Sequence, residues 1–273
     1  MGEISTKLPI PVGATPAEVL RRATEALSRC IDCCVATVIA RSGSAPSTPG
    51  QKLILCSDGQ AAGTVGGGGV ERAVVERMLQ ILGQAEGGPT LLSYNLHKDL
   101  AMECGGTVDL LVEPMWSSTP VLVVGAGHVG FCVAQILPKL GFSVILIDER
   151  SSTLVPERVA LLEGVRTRLG TPAQVAGDVP RRGAVVVATH EHARDVDAVV
   201  WAAMEGFAYV GGVGSRAKAV RVQDVLREKG VTFDVKMPIG IDIGARTPEE
   251  IAVSIAGELI RWRAQTPGAV RNR

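Results

Sequence analysis

Residues 120–150, PVLVVGAGHVGFCVAQILPKLGFSVILIDER, constrain the fold of this chain more than any other stretch. An apolar, β-type run at 121–124 enters Gly125, Gly127 and Gly130. A helix-like segment follows, and a second apolar run at 144–147 ends in Asp148. Strand, glycine turn, helix, strand and acid is the order of a dinucleotide-binding βαβ unit. Gly125 permits the tight turn, Gly127 lets backbone approach a pyrophosphate, and Gly130 lets the helix pack on its strand. The helix N-terminus offers N–H groups to an anion, and His128 is expected to point at the same crevice. Asp148 lies about 20 residues beyond the turn, where a carboxylate can accept a hydrogen bond from a ribose 2′-OH. The same glycines are needed merely to build a βαβ unit, so the pattern dictates a fold and leaves its ligand open.

The chain has 273 residues, enough for two domains with separate cores. Its 28 basic and 28 acidic residues balance, so no net charge draws it to nucleic acid or an anionic membrane. Hydrophobic residues make up 46% and aromatics only 3%, which favours a Val/Ile/Leu/Ala core, as in parallel sheets buried on both faces, over a stacking platform for bases. The start, MGEISTKLPIPVGATP, has no apolar signal-peptide core, and no later apolar run approaches ~18 residues, so a soluble, cytoplasmic protein is expected. Six cysteines without disulfide-scaffold density are expected to stay reduced.

A composition break at 116–119 (WSST) divides the chain into an α+β domain over 1–116 and a Rossmann-like domain over 117–273. Upstream, the pattern predicts a helix at 16–29, strands at 35–41, 91–94 and 108–112, and a hairpin of 51–55 with 60–65 around Asp58 and Gly59. A further helix is expected at 70–82. Downstream, strands at 121–124, 144–147, 184–188 and 209–213 are separated by room for crossover helices, which implies a doubly wound parallel sheet. Thr247, Pro248 and Glu250 read as the start of a helix running to about 263.

Several constellations could carry chemistry. Gly66, Gly67, Gly68 and Gly69 precede a helix with Glu71 in its first turn. Each glycine costs a helix about 1 kcal/mol relative to Ala, so the run points to close backbone approach, either to an anion or heterocycle or at a hinge. Cys104, in MECGG before Gly105 and Gly106, is a nucleophile or soft-metal-ligand candidate, or equally a small apolar residue at a strand start. Cys30, Cys33 and Cys34 lack the context of a redox or zinc motif and read as packing, as do Cys56 and Cys132. His190 and His192, with Asp195, follow the strand ending at Ala188, where doubly wound folds place ligands; substrate contact, a metal or an inert loop are all open. Gly214, Ser215 and Arg216 form a second glycine turn, with Lys218 close by, that would suit another phosphate or be an ordinary turn before a basic helix.

Taken in order, GSAPSTPGQKLIL, GTVGGGGVE, MECGGTVDLLVEP, GAGHVG, ATHEHARD, YVGGVGSRAK and PIGIDIGARTPEEIAVSI resemble the XdhC/CoxI family, accessory proteins of xanthine dehydrogenase and related molybdenum hydroxylases. The resemblance covers about residues 35–263. It implies a cytoplasmic chaperone without turnover of its own. Such a chaperone binds molybdenum cofactor, as molybdopterin or its dinucleotide form, and protects it during sulfuration. It then delivers the cofactor to an apo molybdenum hydroxylase. Implied partners are that hydroxylase, a cysteine desulfurase and a second copy of the chain as a homodimer. A thiol at Cys104 suits molybdenum or persulfide chemistry, and the glycine turns suit phosphates, together lining a cleft between the domains. The chain departs from many relatives at Ser47, where they carry Arg, at Gly69, where some carry Cys, and at Glu103, where some carry a second Cys before Cys104. The competing expectations are an NAD(P)-dependent oxidoreductase, with Asp148 on a ribose and Cys104, His190 or His192 as acid–base groups, and an empty Rossmann scaffold.

Overall fold

The computed structural model describes residues 8–84, 87–101, 105–175, 177, 179–189 and 192–266, with the backbone alone for 175 and 192–194. They divide into two compact units between Ser117 and Ser118.

The first unit opens with α1 (Pro16–Ser28). Thr15 caps it: the Glu18 N–H donates to the Thr15 hydroxyl at 3.3 Å, while the Thr15 N–H donates to the Glu18 carboxylate at 2.8 Å, and Pro16 takes the first helical position. There follow β1 (Cys33–Gly43), β2 (Lys52–Cys56), β3 (Ala61–Gly63), α2 (Gly68–Gln84), β4 (Thr90–Asn95), α3 (Leu96–Leu100) and β5 (Gly106–Met115). Among the described residues the strands form an antiparallel sheet in the order β3-β2-β1-β5-β4. Successive side chains of a strand alternate between faces. Cys33 and Val35 therefore pack with Val19, Ala23 and Ala26 of α1, while Cys34, Ala36 and Val38 pack with Val70, Val74 and Met78 of α2. Cover on both faces explains why CCVA reads as an unbroken small-apolar run.

The second unit comprises β6 (Thr119–Val124), α4 (His128–Ile136), β7 (Phe142–Asp148), α5 (Pro156–Val159), β8 (Val165–Leu169), α6 (Pro172–Val175), β9 (Ala184–Val187), α7 (His192–Met204), β10 (Tyr209–Gly212), α8 (Arg216–Glu228) and α9 (Pro248–Gln265). Its sheet is parallel, in the order β10-β9-β6-β7-β8. The first strand thus lies in the middle and the chain winds outward in both directions, the doubly wound arrangement expected from the sequence. Val121, Val123, Val144 and Leu146 pack against Val133 of α4 and Ile255 and Leu259 of α9. Leu122, Val124, Ile145 and Ile147 pack on the opposite face with Val199 of α7 and Val222 and Leu226 of α8. The Thr247–Glu250 capping box opens α9 where the sequence placed it.

The strand pattern missed β8. Its sequence, VRTRL, is interrupted by two arginines and lies at the sheet edge, where charge is common because it blocks further pairing. No helix of the described residues is long and apolar enough to cross a membrane.

Candidate functional site

The glycine turn between β6 and α4 shows three different reasons for glycine. A Cβ on Gly130 would lie 1.9 Å from the Gly125 carbonyl oxygen, and one on Gly125, whose φ is +104°, would lie 2.4 Å from the Ala188 carbonyl oxygen. Both positions are closed by backbone. Gly127 is different: a Cβ there meets nothing within 4 Å. It is also the N-cap of α4 and supplies no side-chain cap, which leaves first-turn N–H groups for an incoming anion. Two of the glycines therefore build the unit, and Gly127 is the one that faces open space.

Asp148 ends β7 and is almost wholly buried. Its Oδ2 accepts from the Ala126 N–H at 2.8 Å and from the Arg150 guanidinium at 2.9 Å, and its Oδ1 accepts from the Arg150 N–H and Nε, each at 2.9 Å. Burial alone would raise the carboxyl pKa, but the Arg150 side chain and the N–H groups of Arg150 and Ala126 outweigh it and hold it down at about 2. The folded value is below that of the unfolded chain, about 3.9. The stability Asp148 contributes is therefore complete above roughly pH 4 and is lost as pH falls toward about 2. Asp148→Asn should flatten acid unfolding in that window; an acid limb superimposable on wild type would show that the pair contributes nothing.

The two partners of the Asp148–Arg150 ion pair line different cavities. On the carboxylate side, a cavity of about 240 Å³ is lined by Gly125, Asp148, Thr171, Pro172, Thr189, Asp197, Ala198 and Trp201, among others. On the guanidinium side, Gly127, His128, Arg150, Thr153 and Arg158 line another. Arg158 is fixed by stacking over the Phe131 ring, 4.4 Å from its centroid, and by donating to the Thr153 carbonyl at 3.0 Å. Thr153, Arg158, Asp197 and Trp201 were not singled out from the sequence. The two basic residues of DERSSTLVPER were the available signal for the second cavity.

The loop after β9 is pinned by a buried ion pair. Asp195 accepts from the Thr189 N–H at 3.0 Å and from its hydroxyl at 2.5 Å, and pairs with Lys218 of α8; the Asp195 and Lys218 side chains are only 4% and 9% exposed. Lys218, read from sequence as a possible phosphate contact, is committed to Asp195. Ser215 caps α8 by accepting the Lys218 N–H at 3.3 Å, Gly214 lies against the Lys218 side chain, and Arg216 is exposed in the first turn. His192 opens α7, and His190 lies outside the described residues.

In the first unit, three glycine-bearing segments meet at one end of the sheet. Gly43 pairs with Gly106 across β1 and β5, and the Ser44 N–H and hydroxyl donate to the Gly105 carbonyl at 3.1 and 2.8 Å. Ser47, fully buried, donates to the Val65 carbonyl at 2.7 Å and occupies the space a Cβ on Gly66 would need. Gly66, Gly67 and Gly68 have φ of +125°, +75° and +57°, a left-handed run that only glycine adopts readily. Glu71 holds this turn by accepting the Gly67 N–H at 3.1 Å and the Thr64 hydroxyl. Gly69 lies in the first turn of α2. Cys104, the expected metal-ligand candidate, lies outside the described residues.

Three of the other thiols, Cys33, Cys34 and Cys56, are poor ligands at neutral pH. Burial first, then neighbouring charge, pushes Cys33 and Cys34 to about 12 and Cys56 to about 11. Cys132, half-buried rather than core, is raised by burial and by Glu249, whose Oε1 is 3.9 Å from its sulfur. In native protein at pH 8, Cys33, Cys34 and Cys56 should resist a disulfide-exchange reagent and react only after unfolding. Rapid native labelling of any of the three, located by peptide mass, would contradict their burial.

Residues 121–259 match the family described as XdhC Rossmann domain, and residues 26–95 match the XdhC and CoxI family. The chain belongs to the XdhC and CoxI family. Its relatives include the Escherichia coli K12 protein YqeB, described as uncharacterized, 31% identical over 249 residues that cover 86% of this chain and 44% of that protein. A Bacillus subtilis 168 protein described as a probable xanthine dehydrogenase subunit is 29% identical over 161 residues, 58% of this chain and 47% of that one. This XdhC-family chain thus spans about half the length of these two relatives. The Escherichia coli K12 protein named molybdenum cofactor insertion chaperone PaoD is 27% identical, with 90% of this chain and 88% of that protein covered. A solved Bacillus halodurans structure described as a xanthine dehydrogenase superposes with a TM-score of 0.50 at 17% identity, covering 94% of this chain and 98% of that one, and shows the same fold.

Proposed function

We propose that this XdhC-family chain is a molybdenum cofactor chaperone: it binds the cofactor, protects it while its sulfido ligand is installed, and delivers it to an apo molybdenum hydroxylase of the xanthine dehydrogenase type. The observation that carries the reading is the similarity to the insertion chaperone PaoD along nearly the whole of both chains. The cavity at the start of α4 supports it. The cofactor carries a phosphate, and the uncapped first turn beside Gly127 and His128, with the Arg150 and Arg158 guanidiniums, fits that group. Asp148, already holding four donors, is poorly placed to take a ribose diol as well. When bound, the cofactor supplies the molybdenum–sulfur redox chemistry that the client uses.

In this proposal the chain's own residues hold and shield. Gly127, His128, Arg150 and Arg158 bind phosphate. Cys104, flanked by Gly105 and Gly106, supplies a soft ligand or receives sulfur from a cysteine desulfurase. The turns at 66–69 and 214–216 supply further N–H contacts, and the working form is a homodimer in the cytoplasm. The test is retention. Loaded wild-type protein should carry oxidisable pterin through gel filtration, and Arg158→Ala should lose it at least tenfold faster with little change in unfolding midpoint. No retention by wild type would overturn the function, and equal retention by the variant would remove the arginine pocket from it.

A further inference from the structure

We infer that the cavity on the carboxylate side of the Asp148–Arg150 pair is a slot for an amino-substituted pyrimidine ring, with Asp197 accepting its exocyclic N–H. The ring's source rests on the cofactor reading above; the slot itself does not.

Shape is the first reason. The β6 and β7 ends contribute Val124 and Ile147, α6 contributes Pro172 and Ala173, and α7 contributes Ala198 and Trp201. These are apolar or flat surfaces, and Trp201 is steadied by Phe207, 5.8 Å away between ring centroids. An indole face and a proline suit a planar heterocycle. At about 240 Å³ the cavity is below the usual ligand-pocket range of about 300–1,000 Å³, so it suits one or two fused rings rather than a whole cofactor.

Charge is the second reason. Asp197 stands exposed at the rim and makes no hydrogen bond or ion pair among the described residues, whereas Asp148 and Asp195 are fully engaged. An ionised carboxylate only accepts, so it selects a ring edge that donates. The same charge repels phosphate. The arginine cavity has the opposite preference, and the ion pair links the two: Asp148 lines one cavity and Arg150 the other. A ligand with a phosphate at one end and an amino-bearing ring at the other would satisfy both. Thr189, which also lines the cavity, is held by donating to Asp195.

Two sources present this ring edge: the 2-amino-4-oxo ring of the pterin, and the base of a dinucleotide form. Titration calorimetry of the full chain with two matched pairs separates them: cytidine against uridine monophosphate, and pterin against lumazine. Within each pair an amino group is replaced by an oxo group. One amino member should bind about tenfold or more tightly than its oxo partner, the size expected for a hydrogen bond to a charged acceptor. Asp197→Ala, a helix-favouring change at an exposed position, should erase that preference. The pair that discriminates names the source. No preference in either pair with wild type, or a preference unchanged in Asp197→Ala, would overturn the slot. Cofactor retention without an amino preference would sink the slot and leave the chaperone reading standing; an amino preference without cofactor retention would do the reverse.

Discussion

Gly130→Ala should destabilise the Rossmann unit by about 3 kcal/mol, the upper part of the range for overpacking a closed site. Two effects compete. Replacing a glycine in the first turn of α4 gains at most about 1 kcal/mol, the figure for a helix interior, because Ala has the higher propensity. Against it, the new methyl would sit 1.9 Å from the Gly125 carbonyl oxygen, and backbone cannot swing aside as a side chain can. Either α4 moves away from β6 or the turn at Gly125 opens, and both loosen the packing of Val133 and Ala134 on the sheet. Gly127→Ala is the internal control. Its φ of −68° suits any residue and its Cβ meets nothing, so urea unfolding should be within about 0.5 kcal/mol of wild type while anion binding at the helix start weakens. A Gly130→Ala chain as stable as the Gly127→Ala chain would show that α4 does not approach β6 this closely.

Lys218→Ala should cost about 3–5 kcal/mol, because it strands the Asp195 carboxylate in a site where only 4% of its side chain is exposed. The Thr189 N–H and hydroxyl still donate to Asp195, which places the loss toward the lower end of that range. Replacing both partners, as in Asp195→Asn with Lys218→Met, removes the buried charge and should recover most of the loss. Thermal unfolding of the two variants reads this directly. A single variant within about 1 kcal/mol of wild type would mean the pair is solvated and contributes little.

The central strands were legible because parallel strands covered on both faces must be continuously apolar, and LVV, VILI and VVV are. The start of α9 was legible because Thr247, Pro248 and Glu250 form a local hydrogen-bonded cap that needs no tertiary partner. By contrast, β8 hides its pairing behind Arg166 and Arg168, and α5 and α6 are too short to show a period. The glycine turns were legible as turns. What each glycine is for was not, since the contrast between Gly127 and Gly130 depends on which backbone atoms lie nearby. The same holds for charge. Asp148, Asp195 and Asp197 look alike in sequence, yet the first is tied to Arg150, the second to Lys218, and the third is left at the rim of a cavity. Partners that lie 23 residues apart in the chain, as Asp195 and Lys218 do, are set by the fold.

Cofactor binding is decided by equilibrium binding of the purified chain to molybdenum cofactor and, in parallel, to NAD and NADP, with bound pterin read by fluorescence after oxidation. A cofactor chaperone should retain pterin stoichiometrically and bind no nicotinamide; nicotinamide binding without pterin retention would rule the chaperone function out.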